Sequence, residues 1–299
     1  MGSCNRARWR RGPIGLVGLL LTAALAPAAR GHDMWLLPSA FAAPPRAPLA
    51  VQLRVGHPGD AETLARDGRR IVRFEAIDAA GARPLVGLDG QDPAGFARPV
   101  EPGLLTLVYE STATFSELPA ERFEAYLEAE GLGRVLAARQ RDGARGRSGR
   151  ELYSRSLKSL LRIGGVGGAD RARGLPLELL LEHAAGGRVV LRLLWHGRAL
   201  AGALVDLTPL DARTRSARPS PASAGCRGLA AGVSALFPDA STCSLRTGAD
   251  GRLAAELAAG AWLAAVVHAE PTTGDERVRA RWRTVFASLS FALDADGAG

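Results

Sequence analysis

Catalytic signatures, histidines and cysteines are all scarce in this chain, and each scarcity narrows what it can do. The 299 residues contain no Gly-x-Ser-x-Gly elbow, no His-Glu-x-x-His metal motif, no phosphate-cradling glycine loop and no dinucleotide fingerprint. The run Gly164-Gly165-Val166-Gly167-Gly168 precedes neither a lysine nor a clear helix start. The chain therefore reads as a non-enzymatic protein. Five histidines make the search for metal ligands short. There is no long apolar run either: Ile14 to Ala26 is too short to span a bilayer comfortably, which takes about 20 residues.

That run follows Arg6, Arg8, Arg10 and Arg11, the pattern of a secretory signal peptide, so the mature chain is expected in the periplasm or secreted, with no transmembrane segment. Small residues at −3 and −1 decide the cut. Ala29-Arg30-Gly31 satisfies the rule and frees His32 as the first residue; Ala26-Pro27-Ala28 satisfies it too and leaves three residues ahead of His32. A cut after Ala29 sets His32 third, a copper- and nickel-chelating arrangement, but puts Pro27 at −3. As the first residue, His32 offers an α-amine and an imidazole, a strong chelate for Cu(II) or Ni(II).

The formal charge of +8 suggests a nucleic-acid partner only while the signal is counted. Residues 1–31 hold five arginines and no acid, so the remainder has 33 basic against 30 acidic residues. The basic stretches Arg139 to Arg150 and Arg213 to Arg218 lack interleaved aromatics for base stacking and read as solvated loops, with no nucleic-acid partner. Cys226 and Cys243 survive export, and in an oxidising compartment such a pair reads as a disulfide rather than a metal pair.

Two-residue hydrophobic alternation appears in two regions. Val51, Leu53 and Val55, then Ile71 to Ile77, Pro84 to Leu88, and Leu105, Leu107 and Tyr109 predict a small antiparallel β domain over 32–115. Val189 to Trp195, a turn at His196-Gly197-Arg198, a return strand through Ala203, Val205 and Leu207, then Leu253 to Leu257, Trp262 to His268 and Val285 to Leu293 predict a β-sandwich over 171–295. Its insertion, 211–246, holds the cysteine pair. Between the two regions, 116–170 is read as a helical connector: a helix from near Ser116 that Gly131 and Gly133 divide, and a second over Glu151 to Arg162. On that second helix Glu151, Arg155 and Lys158 share a side, as an interface salt-bridge network would. The fold class is thus mainly β, two antiparallel sandwich-like regions joined by a short helical segment.

His32-Asp33-Met34-Trp35-Leu36 with Pro38-Ser39 and Phe41, Arg54-Val55-Gly56, Asp92-Pro93-Ala94-Gly95, Leu118-Pro119-Ala120-Glu121-Arg122-Phe123, Arg150-Glu151-Leu152-Tyr153-Ser154-Arg155 with Lys158, and Leu175-Pro176-Leu177-Glu178 resemble the exported bacterial proteins called domain of unknown function 4198. The resemblance implies a later half like the transthyretin or carboxypeptidase-regulatory sandwich, an Ig-like architecture. It also implies an association with periplasmic nickel and cobalt uptake.

The expected metal ligands are His32 with His268, which closes the strand Trp262 to Val267, and His57 in Gly56-His57-Pro58-Gly59-Asp60, with Asp33 or Asp60 as carboxylate. His183 and His196 read as loop and turn residues, and Trp35 as a core anchor. The function expected is a periplasmic, non-enzymatic binder of nickel, cobalt or copper that serves a membrane metal transporter. The alternative is an envelope module for a protein or glycan, in which the histidines are structural.

Overall fold

The computed structural model describes residues 33–57, 60–210, 226–228 and 242–294, with 57, 60 and 226–228 described in backbone alone. The chain is mainly β. Strands Asp33–Pro38 (β1), Ala42–Ala43 (β2), Leu49–His57 (β3), Asp60–Leu64 (β4), Ile71–Asp78 (β5), Gly81–Pro84 (β6), Gly95–Ala97 (β7), Gly103–Ser111 (β8) and Thr114–Leu118 (β9) lead to helices Ala120–Ala129 (α1) and Gly133–Arg141 (α2). Then come Gly149–Ile163 (β10), Leu177–Ala185 (β11), Arg188–Trp195 (β12), Arg198–Ala199 (β13), Leu204–Leu210 (β14), Cys226–Gly228 (β15), Cys243–Arg246 (β16), Arg252–Leu257 (β17) and Gly260–Pro271 (β18). A single helical turn, Glu276–Arg279 (α3), precedes the last strand, Trp282–Leu293 (β19).

One ten-stranded sheet, β16-β14-β18-β19-β10-β8-β5-β6 with β2 and β9 added on β10, runs through the whole structure. A four-stranded sheet, β1-β3-β4 with β7 on β3, packs on one face; Met34, Leu36, Val51 and Leu53 meet Leu105, Leu107, Leu157 and Leu161 there. A five-stranded sheet, β11-β12-β17-β15 with β13 on β12, packs on the other face, where Leu191 and Leu253 meet Leu160, Val266 and Leu289. The helices cover Val267, Trp282 and Phe286 on the first face. The two smaller sheets thus pack on opposite faces of one shared sheet, to which strands of both regions contribute.

Residues 151–162 correct the helical reading. They belong to β10, which runs parallel to β19 from Glu151↔Trp282 to Ser159↔Ser290 and antiparallel to β9 and β8. Leucines and long charged side chains favour a helix when considered locally, but tertiary burial on both faces outweighs that preference of a few tenths of a kcal/mol per residue. The helix expected from near Ser116 begins instead at Ala120, because Ser116 pairs with Glu151 in β9. At the other end of the connector, Gly149 starts β10 where a Cβ would lie 2.1 Å from the Phe123 ring, so only glycine lets α1 pack this closely. The return strand is also redirected. Only β13 pairs back on β12, while β14 leaves for the central sheet beside β18.

Strand alternation divides the charges of β10. Lys158, the only lysine in the chain, points toward the five-stranded sheet. Its Nζ lies 2.8 Å from Asp170 and 3.2 Å from Glu178, all three side chains being 1–2% exposed. Glu178 also accepts the backbone N–H groups of Arg173, Gly174 and Leu175 at 2.7, 3.1 and 3.3 Å, so it shapes the loop entering β11. Removing one partner of such a buried pair leaves the remaining charge uncompensated. We expect Lys158→Met to lower the unfolding free energy by about 3–5 kcal/mol in urea titrations, far more than exposed Arg69→Met.

Candidate functional site

Strand β1 enters the molecule along an edge of its sheet, pairing β3 from Asp33↔Gly56 to Pro38↔Val51. Its burial explains why this N-terminal sequence is ordered: Met34, Trp35 and Leu36 are 8, 3 and 0% exposed, in keeping with Trp35 as a core anchor. Hydroxyls on the central sheet also hold it. Ser288 Oγ donates to Met34 O at 2.8 Å and Ser290 Oγ to Leu36 O at 2.7 Å, both buried. Residue 33 is therefore positioned from two sides.

A polar cluster lies beneath that point. Arg155 is half-buried, with its guanidinium 4.3 Å from the Phe286 ring centroid and 5.7 Å from that of Tyr153. Burial lowers its pKa, while Tyr153, Asp33, Tyr126 and Glu130 pull the other way. Glu151, 4% exposed, accepts from Thr284 Oγ1 at 2.6 Å. Burial raises its carboxyl pKa above the usual range, and drives the Tyr126 hydroxyl well up. Glu151 and Arg155 thus share a face of β10, and Lys158 lies on the opposite one.

The expected ligands fall in different places. His32 lies outside the described residues. Asp33 is within electrostatic reach of Arg155. His57 ends β3 next to Gly56, the partner of Asp33, and its backbone pairs with Asp60. His268 is not brought to this end: it pairs with Val285, whose side chain joins the core beneath the five-stranded sheet, whereas its neighbour Phe286 faces the helices. His268 and Arg155 are on opposite faces of the central sheet. The His268 ring packs 4.7 Å from that of Trp195, with Nε2 3.5 Å from Glu270, and burial lowers its pKa. His196 occupies the turn between β12 and β13 with φ 45°, and His183 lies in β11 at a bulge. Among the described residues no three His, Cys, Asp or Glu side chains converge as a metal site, and no helix is long and apolar enough to cross a membrane.

The model of the family called domain of unknown function (DUF4198) matches residues 29–270. The chain belongs to the DUF4198 family. No curated protein matches it. Among solved structures, Escherichia coli alpha-2-macroglobulin activated by porcine elastase aligns at 12% identity over 87% of this chain and 22% of that one, with a TM-score of 0.19, too low to indicate a common fold. In this DUF4198 protein the motif residues Lys158 and Glu178 serve packing, and Glu151 and Arg155 underlie β1. Sequence reasoning missed Asp170 and Glu130 altogether; the solitary lysine of the chain was the signal that a specific anionic pocket awaited it.

The pH dependence follows from Glu151. Because its folded pKa is raised, the stability it contributes is full below the unfolded value of 4.5 and is lost as the pH rises through the folded one. Glu151→Gln should therefore match the parent in melting temperature below pH 4.5 and exceed it increasingly above, as calorimetry on both sides of that pH would show.

Proposed function

We propose that this DUF4198 protein is an exported, periplasmic, non-enzymatic binder of nickel, cobalt or copper, with its site at the open end of the β1–β3–β4 sheet. The antiparallel register supports the reading. The pairs run from Pro38↔Val51 to Asp33↔Gly56, so the last described pair has His32 and His57 as its sequence neighbours, and the backbone of His57 pairs with that of Asp60. Residues directly opposite in an antiparallel pair have Cβ atoms about 5 Å apart. Imidazoles on two residues so opposed would reach one ion at metal–nitrogen distances of about 2 Å. If the signal is cut before His32, its α-amine adds a third nitrogen. Asp33 serves as an anchor against Arg155, and delivery to a membrane transporter is the role that fits an exported carrier.

The donor set of imidazoles and a free amine suits nickel, cobalt and copper over calcium or magnesium. The pairing of Cys226 with Cys243 belongs to the same picture of an oxidising compartment. It is supported by the disulfide-bonded state of Cys243 and by the closeness of the strands β15 and β16.

Calorimetric titration of the exported chain, its first residue established by intact mass, tests the proposal. We expect micromolar or tighter binding of Ni(II) or Cu(II), weakened about tenfold or more, 1.4 kcal/mol per decade, by either His32→Ala or His57→Ala. His268→Ala should leave it unchanged. Absence of binding, or binding indifferent to both of the first two substitutions, rejects the site.

A further inference from the structure

The sandwich between the central and five-stranded sheets is filled with apolar side chains, but at one end it opens into a cavity of about 630 Å³. That volume lies in the usual range for small-molecule sites, roughly 300–1,000 Å³. Leu160 and Phe291 of the central sheet form one wall, and Leu104 and Leu181, half-buried against the same core, contribute to the rest. The glycine-rich loop 164–168 that follows β10 also lines it, adding backbone without side-chain bulk. Arg162 lines the cavity as well, but its guanidinium is held in an ion pair with Asp294.

Of the charged and polar side chains that line the cavity, Asp170 is the most deeply buried, 1% exposed. One of its oxygens is fully engaged: Oδ2 takes the ion pair with Lys158 Nζ at 2.8 Å and the Leu181 N–H at 3.0 Å. The other, Oδ1, is buried and has no hydrogen-bond partner among the described residues. A buried acceptor left unpaired forfeits its hydration without compensation, so a donor in the cavity would be favoured there. Charge points the same way. Two carboxylates, Asp170 and Glu178, face the single ammonium of Lys158, and Glu178 already receives three backbone N–H groups. Among the described residues the ion cluster pairs two carboxylates with one ammonium, and the unpaired oxygen is on the residue that lines the cavity.

We propose that this cavity binds a small organic ammonium compound, its apolar body between Leu160, Phe291, Leu104 and Leu181 and its N–H donors on Asp170 Oδ1. A carboxylate or phosphate head group would meet Asp170 with like charge. A hydroxyl would supply one hydrogen bond without the positive charge. The site lies across the central sheet from β1 and uses none of the residues assigned to the metal, so the two readings stand or fall separately.

Calorimetry of the full chain with hexylamine, hexanol and hexanoate, in the presence of a chelator, tests it. We expect saturable binding of hexylamine, with hexanoate weaker by about tenfold or more and hexanol between them. Gly167→Leu adds a side chain where a Cβ meets only Arg162 Cδ at 4.0 Å; it should retain the melting temperature and weaken hexylamine about tenfold or more. Asp170→Asn should remove the preference for amine over alcohol. If that variant fails to fold, the ligand series and Gly167→Leu decide. The proposal is overturned if hexylamine does not bind, if hexanoate binds as well, or if Gly167→Leu leaves binding unchanged.

Discussion

Strand β10 lies in a sheet that is packed on both faces, and its two-residue alternation commits each side chain to one interior or the other. Leu157, Leu161 and Ile163 go to the core under β1 and β3, and Leu160 goes to the core under the five-stranded sheet. The charged residues obey the same geometry. Arg155 and Glu151 are sent beneath the start of β1, and Lys158 is sent to Asp170 and Glu178. Glu151 and Lys158 are buried, and their partners, with the groups around Arg155, shape the loop before β11 and the polar ground under Asp33.

The shared sheet also explains how the edge strand β1 becomes a fixed element. A strand at a sheet edge leaves backbone groups unpaired, and here Ser288 and Ser290 from the central sheet donate to the carbonyls of Met34 and Leu36. Ser290 is itself bonded to Ser159 of β10 at 2.8 Å, so the anchor of β1 continues into the central pair of strands. A strand held in this way retains little conformational freedom.

Most strands were legible because one face of each is less buried than the other. Val51, Leu53 and Val55, or Leu105, Leu107 and Tyr109, give a period of two that survives in β3 and β8. In β10 both faces are covered, so apolar residues no longer alternate with polar ones, and Leu152, Leu157, Leu160 and Leu161 imitate a helical stripe. The charges compounded the error: Glu151, Arg155 and Lys158 have helix-compatible spacing, yet a strand divides them between faces. For the candidate site, the sequence showed Asp33 and His57 as individual residues. It did not show that Asp33 is set opposite Gly56, nor that His268 is turned toward Trp195 on the far face.

The amino-acid sequence alone determined the class of the protein: its period-two segments, its turn residues and the DUF4198 motif run each act locally, within a few residues, and so can be read without a partner in space. What only the tertiary structure decided is which segments share a sheet and which side chains meet. The ion cluster of Lys158, Asp170 and Glu178, the anchoring of β1 by two serines and the separation of His268 from the N-terminal end all depend on contacts between distant parts of the chain. Local spacing carries no record of such contacts, because they arise from the parity of strands and the stacking of sheets.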